Sequence, residues 1–148
     1  MSVRENIAID IVQALQSISV PEIRLVSRNP IDTDNISIEQ YPCVMVRTSI
    51  ESRSDETMRD LRFGDIDYTL TAYVRASSSA TTINNNIDTQ RNQIVEAIAE
   101  KLEEDRTRNS NAFNCYVTQV VTDDNTAYPL GRVDITFKVL YKYTKGVV

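Results

Sequence analysis

The sequence predicts an α+β domain in which about four strands form a mainly antiparallel or mixed sheet, with two helices packed on one face. Three observations predict this class. Two segments have helical apolar spacing, four segments alternate apolar and polar residues, and the pieces follow one another in the order α-β-β-α-β-β. The chain has 148 residues, 41% apolar and 25% charged, which is enough for one hydrophobic core. We therefore expect a single domain over residues 1–148.

The first helix is predicted from about Val3 to Ser17, and Pro21 marks its end. Its apolar residues recur every three or four positions: Val3, Ile7, Ile11, Ala14, Leu15 and Ile18. Ile9 and Val12 fall outside the centre of that apolar arc. Scattered exposed apolar residues are common on protein surfaces, but these two are also candidates for contact with another subunit.

Two strands are predicted next, over Tyr41–Ile50 and Ile66–Arg75. In the second, apolar residues alternate with polar ones, which indicates one covered face and one wetter face. Before these strands lies an irregular connector, in which residues 23–26 could add a short edge strand.

The connection between these strands, Glu51 to Gly64, is predicted to be a long charged hairpin loop. It is longer than the usual two to five residues of such loops, and longer loops often bind something. A solvated tip is one reading, and an arm that becomes ordered on a neighbouring subunit is the other. The second reading makes five residues candidates for contact with that subunit: Asp55, Glu56, Met58, Arg59 and Arg62.

The second helix is predicted after the small-residue linker 77–82. Its apolar face contains Ile83, Ile87, Ile94, Val95, Ile98 and Leu102. Arg91 projects into that face, so it either lays its stem on apolar surface or forms an interface ion pair. The last two strands are predicted over Phe113–Thr122 and over alternating residues from Val133 to Tyr143. The second of these has polar outward positions that are either wet or in contact with another chain.

The residues needed for several kinds of catalysis are missing from the sequence. It has no histidine and only two cysteines, which excludes a Ser-His-Asp triad, a Cys-His pair and a Cys/His zinc cluster. It also contains no phosphate-binding glycine motif, so we expect no cofactor, no metal and no enzymatic activity. Cys43 and Cys115 lie in predicted strands and are expected to be reduced core residues. The net charge of −5 opposes nonspecific binding to nucleic acid or anionic lipid, so no membrane partner is expected.

Five segments resemble the tail-terminator, or tail-completion, proteins of long-tailed bacteriophages. The opening VRENIAIDIVQAL is similar to that family's first helix, and IEQYPCVMV to its approach to the first long strand. DYTLTAYV with NNNIDTQRNQIVEAIAEKLEED resembles its strand, linker and second helix, and YPLGRVDITFKVLYKY its closing strand. The turn after the second helix departs from the family, because RTRNSNAF replaces a small glycine-bearing turn.

The resemblance implies a structural virion protein. Members of the tail-terminator family form a six-membered ring that caps the tail tube, stops its polymerisation and offers a docking surface to the head-side connector. The implied partners are copies of the chain itself, the tail tube protein and the connector or neck protein, while DNA passes through without specific binding. By the same resemblance, the five hairpin candidates are implied in subunit or tube contacts. The implied location is the virion tail or neck, assembled in the host bacterial cytoplasm.

Three alternatives stay open at the level of the sequence. A neck or head–tail connector ring protein of a phage would share the fold and the ring. A cytosolic oligomeric ligand-binding module would have a defined apolar pocket. An enzyme with carboxylates that converge only in the fold would have a perturbed carboxylate in a cleft.

Overall fold

The computed structural model describes residues 2–19, 22–32, 34–54, 61–75, 87–123 and 130–144. The helices are α1 (Val3–Gln16) and α2 (Ile87–Glu104). The strands are β1 (Leu25–Ser27), β2 (Cys43–Ser54), β3 (Leu61–Arg75), β4 (Asn114–Thr122) and β5 (Leu130–Thr144), and a short 3-10 helix covers Ile38–Gln40.

The strands form one mixed sheet in the order β1-β2-β3-β5-β4. β1 is parallel to β2, and all other neighbours are antiparallel. The predicted α+β class and order of elements are confirmed, with the short β1 as an added edge strand. β3 and β5 pair along their full 15 residues and form the centre of the sheet.

Both helices pack on one face of the sheet. α1 lies over β1 and β2, α2 lies over β3, β4 and β5, and the helices also contact each other. The alternation in β5 explains this layering, because every second side chain from Val133 to Tyr141 is fully buried. Facing them are Ile7, Ile11, Leu15, Ile94, Ile98 and Leu102, all with no exposed surface. Burial of each such side chain contributes about 2 kcal/mol.

Several element boundaries differ from the predicted ones. α1 ends one residue earlier than predicted, and β4 begins one residue later, at Asn114. Ile83, predicted to start the buried face of the second helix, lies outside the described residues. β5 is longer at both ends than the alternation predicts, because its pairing with β3 continues past the buried positions.

The largest correction concerns the segment 51–64. It was predicted to be a loop, but β2 runs to Ser54 and β3 begins at Leu61, so strand pairing covers both of its ends. A register shift between Thr48 and Glu51 explains why the sequence pattern fails there. The bulge inserts one extra residue, which breaks the alternation on β2 while the pairing with β3 continues.

Cys43 and Cys115 are both buried and free. Cys115 belongs to the core beneath the helices, as predicted. Cys43 lies opposite Tyr73 on the other face of the sheet. Burial raises the pKa of Cys43 to about 11, so its thiol is protonated at neutral pH.

Candidate interaction surface

The predicted contact residues of the hairpin are only partly covered by the structure. Asp55, Glu56, Met58 and Arg59 lie outside the described residues. The backbone of Arg62 pairs with Tyr143 in the centre of the sheet. The described part of the hairpin is therefore its base, where β2, β3 and β5 continue side by side.

On the face away from the helices, the hairpin base exposes two aromatic rings. Phe63 of β3 is 37% exposed, and Phe113, just before β4, is 47% exposed. Their centroids are 5.9 Å apart in an edge-to-face arrangement, and the Lys142 amino group lies 6.0 Å from the Phe63 ring centroid. Such pairs and cation–ring contacts are favourable and pre-orient the rings. We define Phe63, Phe113, Leu140 and Lys142 as the aromatic patch.

Two open clefts lie on either side of Phe113. One, of about 220 Å³, lies between Phe113, Phe63 and Leu140. The other, of about 310 Å³, is lined by Val3, Lys142 and residues 110–113. Both are at or below the lower end of the usual volume of small-molecule pockets, roughly 300–1,000 Å³.

On the helix side of the same hairpin base, Glu51 organises a cluster of polar groups. Its carboxylate is 14% exposed, accepts a hydrogen bond from the Tyr141 hydroxyl, and lies 3.3 Å from Arg53 and 3.7 Å from Arg4. Burial, together with the hydrogen bond to Glu51, raises the pKa of Tyr141 well above its usual range. The Tyr68 hydroxyl donates to the backbone carbonyl of Arg4 at 3.0 Å. The start of α1 is thus tied to the hairpin base.

Gly64 makes room for this cluster. A Cβ atom at Gly64 would lie 2.9 Å from the Tyr141 ring. Arg53 pairs with Gly64 across the strands, so the glycine sits directly beneath the charged cluster. At the bulge nearby, Ile50 is 66% exposed. Ile50 and the aromatic patch together give this end of the sheet a high content of exposed apolar side chains.

Arg91 is engaged within the chain. Its side chain is 4% exposed and lies 2.6 Å from Asp123, which follows β4, and 3.6 Å from Asp88. The pairing joins α2 to the end of β4 and leaves little of Arg91 for a second subunit. An interface role for Arg91 stays a prediction.

Ile9 and Val12 are half-buried on α1. Val12 packs against the core, so only part of its side chain is available to a partner. For both residues, a subunit contact likewise stays a prediction.

The outer face of the sheet, away from the helices, carries charges paired along and across the central strands. Asp134 accepts from Thr71 at 2.8 Å and from Arg132 at 3.3 Å, and Lys138 lies 3.8 Å from Asp67. Thr71 is only 1% exposed, although the alternation places it on the wetter face. The neighbouring strands cover it, which a single-strand pattern does not reveal.

Sequence reasoning missed an ion pair that joins the two helices. The Arg108 side chain is 3% exposed and lies 3.0 Å from Asp10 of α1. It also donates to the carbonyl oxygens of Leu102 and Asp105 at the end of α2. Burial raises the pKa of Asp10 despite the opposing effect of Arg108. The sequence separation of these partners left no local signal by which to find them.

The described residues have neither a metal-binding cluster nor a helix that could span a membrane. They contain no group of three or more potential metal-ligating side chains. No helix among them has the length and apolar character needed to cross a bilayer.

No family model matches the sequence, and no curated protein matches it. A chain of the solved structure described as "Virion of native gene transfer agent (GTA) particle" is similar in structure. The sequence identity is 10%, the TM-score is 0.47, and the similarity covers 90% of this chain and 92% of that chain. At this level, similarity does not establish a common function.

Proposed function

We propose that the chain is a structural subunit of a phage-like virion that forms a ring on the end of the tail tube. In this role it stops tube polymerisation and presents a docking surface to the head-side connector. The proposal starts from the sequence resemblance of five segments, described above, to tail terminators.

The observation that carries the proposal is the build of the hairpin base. A rigid, helix-covered sheet extends β2, β3 and β5 to one end, where Phe63 and Phe113 stand exposed and pre-oriented. Aromatic side chains of this kind commonly form the anchors of protein interfaces. A protein that works by assembly needs such anchors on a rigid scaffold.

The electrostatics support a passage for DNA. The chain has a net charge of −5, and the exposed side of α2 carries Glu96, Glu100, Glu103 and Glu104. A lumen with such a charge balance does not hold phosphate groups, so DNA slides past without specific binding.

Tube length gives the test of this function. Purified tube protein is allowed to polymerise with increasing amounts of the chain, and tube lengths are measured by electron microscopy. We expect shorter tubes, each with a ring at one end. Phe113→Asp should abolish the effect, whereas the matched control Gln93→Asp, on the exposed side of α2, should retain it.

Two results would contradict the proposal. Tubes of unchanged length with the unmodified chain would remove the terminator function. A ring that binds the head-side connector but never the tube would favour the neck protein instead.

A further inference from the structure

The two halves of the edge strand β4 differ in how open they are to pairing with another strand. β1 and β4 are the end strands of the described sheet. On the first half of β4, the N–H of Cys115 is bound by the Asn114 side chain and that of Val117 by Glu103 of α2, at 3.0 and 3.1 Å. An edge whose N–H groups are bound in this way does not accept another strand.

The second half of β4, residues 118–122, has the opposite character. A register shift between Val117 and Gln119 separates it from the first half, and all five of its residues are exposed. Val120 and Val121 are 41% and 49% exposed, and the segment TQVVT has no charge, proline or glycine. Asp123 donates its N–H to Arg132 of β5, so alternation directs the N–H groups of Val120 and Thr122 away from the sheet. An uncharged edge of this kind is a template for strand pairing.

The open half of β4 lies directly across the sheet from β1, in the same rows of paired residues. One row of paired residues runs across all five strands through Ser27, Met45, Thr71, Asp134 and Val121. The neighbouring row runs from Val26 of β1 to Thr122 of β4. Pairing of β1 of one copy with residues 118–122 of the next would therefore continue these rows from one sheet into the other. A head-to-tail contact of this kind forms a ring when its rotation closes.

The charged groups beside the two edges also differ. Beside β1, Arg24 and Arg28 are exposed, and Arg28 is paired with Glu5 of α1 at 2.5 Å. Beside β4, Glu103 of the acidic side of α2 accepts a hydrogen bond from the Val117 N–H, and Asp123 is paired with Arg91. A two-fold contact between two β4 edges would bring two copies of the acidic side of α2 together, which favours a head-to-tail contact instead.

We propose that β1 of one copy pairs in antiparallel fashion with residues 118–122 of β4 of the next copy, so that the sheets join around the ring. The strand directions in the sheet make β4 antiparallel to β1 in this arrangement. The inference rests on the ring proposed above and names the contact that closes it.

Cysteine cross-linking tests this contact. Ser27→Cys and Val121→Cys are made as separate variants. Their new thiols lie on opposite edges of the sheet, at the two ends of one row of paired residues. The native Cys43 and Cys115 are buried and do not compete. After mild oxidation of the ring, we expect covalent dimers when the two variants are mixed and none from either variant alone. The double variant should give a ladder of covalent multimers.

The other outcomes separate this inference from the proposed function. Dimers from Val121→Cys alone would show that two β4 edges pair two-fold, and would overturn the inference. If light scattering shows that the double variant forms a ring but oxidation gives no cross-link, the inferred contact is wrong and the proposed ring remains. A chain that forms no ring, with or without tubes, would remove both.

Discussion

At the scale of single residues, the hairpin base depends on how closely its side chains pack. Glu51, Tyr141 and Arg4 meet on the helix side of the sheet, and Gly64 leaves the space in which the Tyr141 ring lies. None of these contacts is visible in the sequence, because they join residues from α1, β2, β3 and β5. The sequence predicts that Gly64 lies near the hairpin, but not that a side chain there would meet a tyrosine.

Gly64→Ala should destabilise the fold by about 1–3 kcal/mol, as expected when extra volume is forced into a packed site. The Tyr141 ring is 1% exposed and held by Glu51, so it has little room to move. Urea denaturation gives the free energy of unfolding. In the Tyr141→Leu background, which removes most of the ring, the cost of Gly64→Ala should fall markedly. An equal cost in both backgrounds would show that the Tyr141 ring is not the obstacle.

At the scale of elements, alternation and helical spacing predict the buried faces well. The inward residues of β3 from Ile66 to Val74, and of β5 from Val133 to Tyr141, are buried as predicted. On the predicted apolar face of α1, Ile7, Ile11, Leu15 and Ile18 are buried, whereas Val3 and Ala14 are half-buried. Prediction fails where a local pattern is broken or has no local partner. Because the bulge in β2 interrupts the alternation, the sequence pattern does not predict the strand beyond Ile50. The Asp10–Arg108 pair depends on how α1 packs against the end of α2, which is far from it in sequence.

The Asp105 carboxylate stabilises the loop after α2 by accepting hydrogen bonds from its backbone. Arg108, Asn109 and Ser110 have φ values of 44°, 57° and 66°, which is costly for residues other than glycine. Asp105 compensates by accepting from the backbone N–H groups of Asn109 and Thr107 at 3.0 and 3.1 Å. The turn thereby accommodates residues other than glycine at these three positions.

Acid titration should reveal the contribution of Asp105. The Asn109 N–H, with the Thr107 hydroxyl, lowers the pKa of Asp105. The ionised form therefore stabilises the fold fully above the unfolded-state pKa near 3.9, and this stabilisation is lost as the pH falls through the lower, folded-state pKa.

Asp105→Asn should cost about 1 kcal/mol at pH 7 and progressively less below about pH 4. The free energy of unfolding of both proteins across this pH range gives the comparison. A cost that does not change with pH would show that the charge of Asp105 has no part in holding the loop.

The hairpin is the element on which assembly is expected to depend. Arg59→Glu with Arg62→Glu should raise the concentration needed for half-maximal assembly by about tenfold or more, because reversed charges repel a partner that the native ones attract. The monomer should stay folded by circular dichroism.

Arg59→Lys with Arg62→Lys retains the charge and serves as the control, with assembly close to that of the unmodified chain. Unchanged ring formation in the charge-reversed variant would count against a role for the hairpin in subunit contacts.

At the scale of the whole molecule, the structure combines a helix-covered face with two unlike sheet edges and an apolar hairpin base. The sequence predicts the first of these from apolar spacing. It cannot predict the others, because the rows that β1 and β4 share across the sheet follow from strand order and register. The proposed ring uses both unlike edges, while the aromatic patch remains available for the tube.

The absolute mass in solution tests the central claim most directly. Light scattering after size exclusion would be measured on the unmodified chain with and without assembled tail tubes. We predict either a six-membered ring in solution or a monomer that forms a ring on the tube. A monomer or dimer whose mass does not respond to tubes would contradict the account.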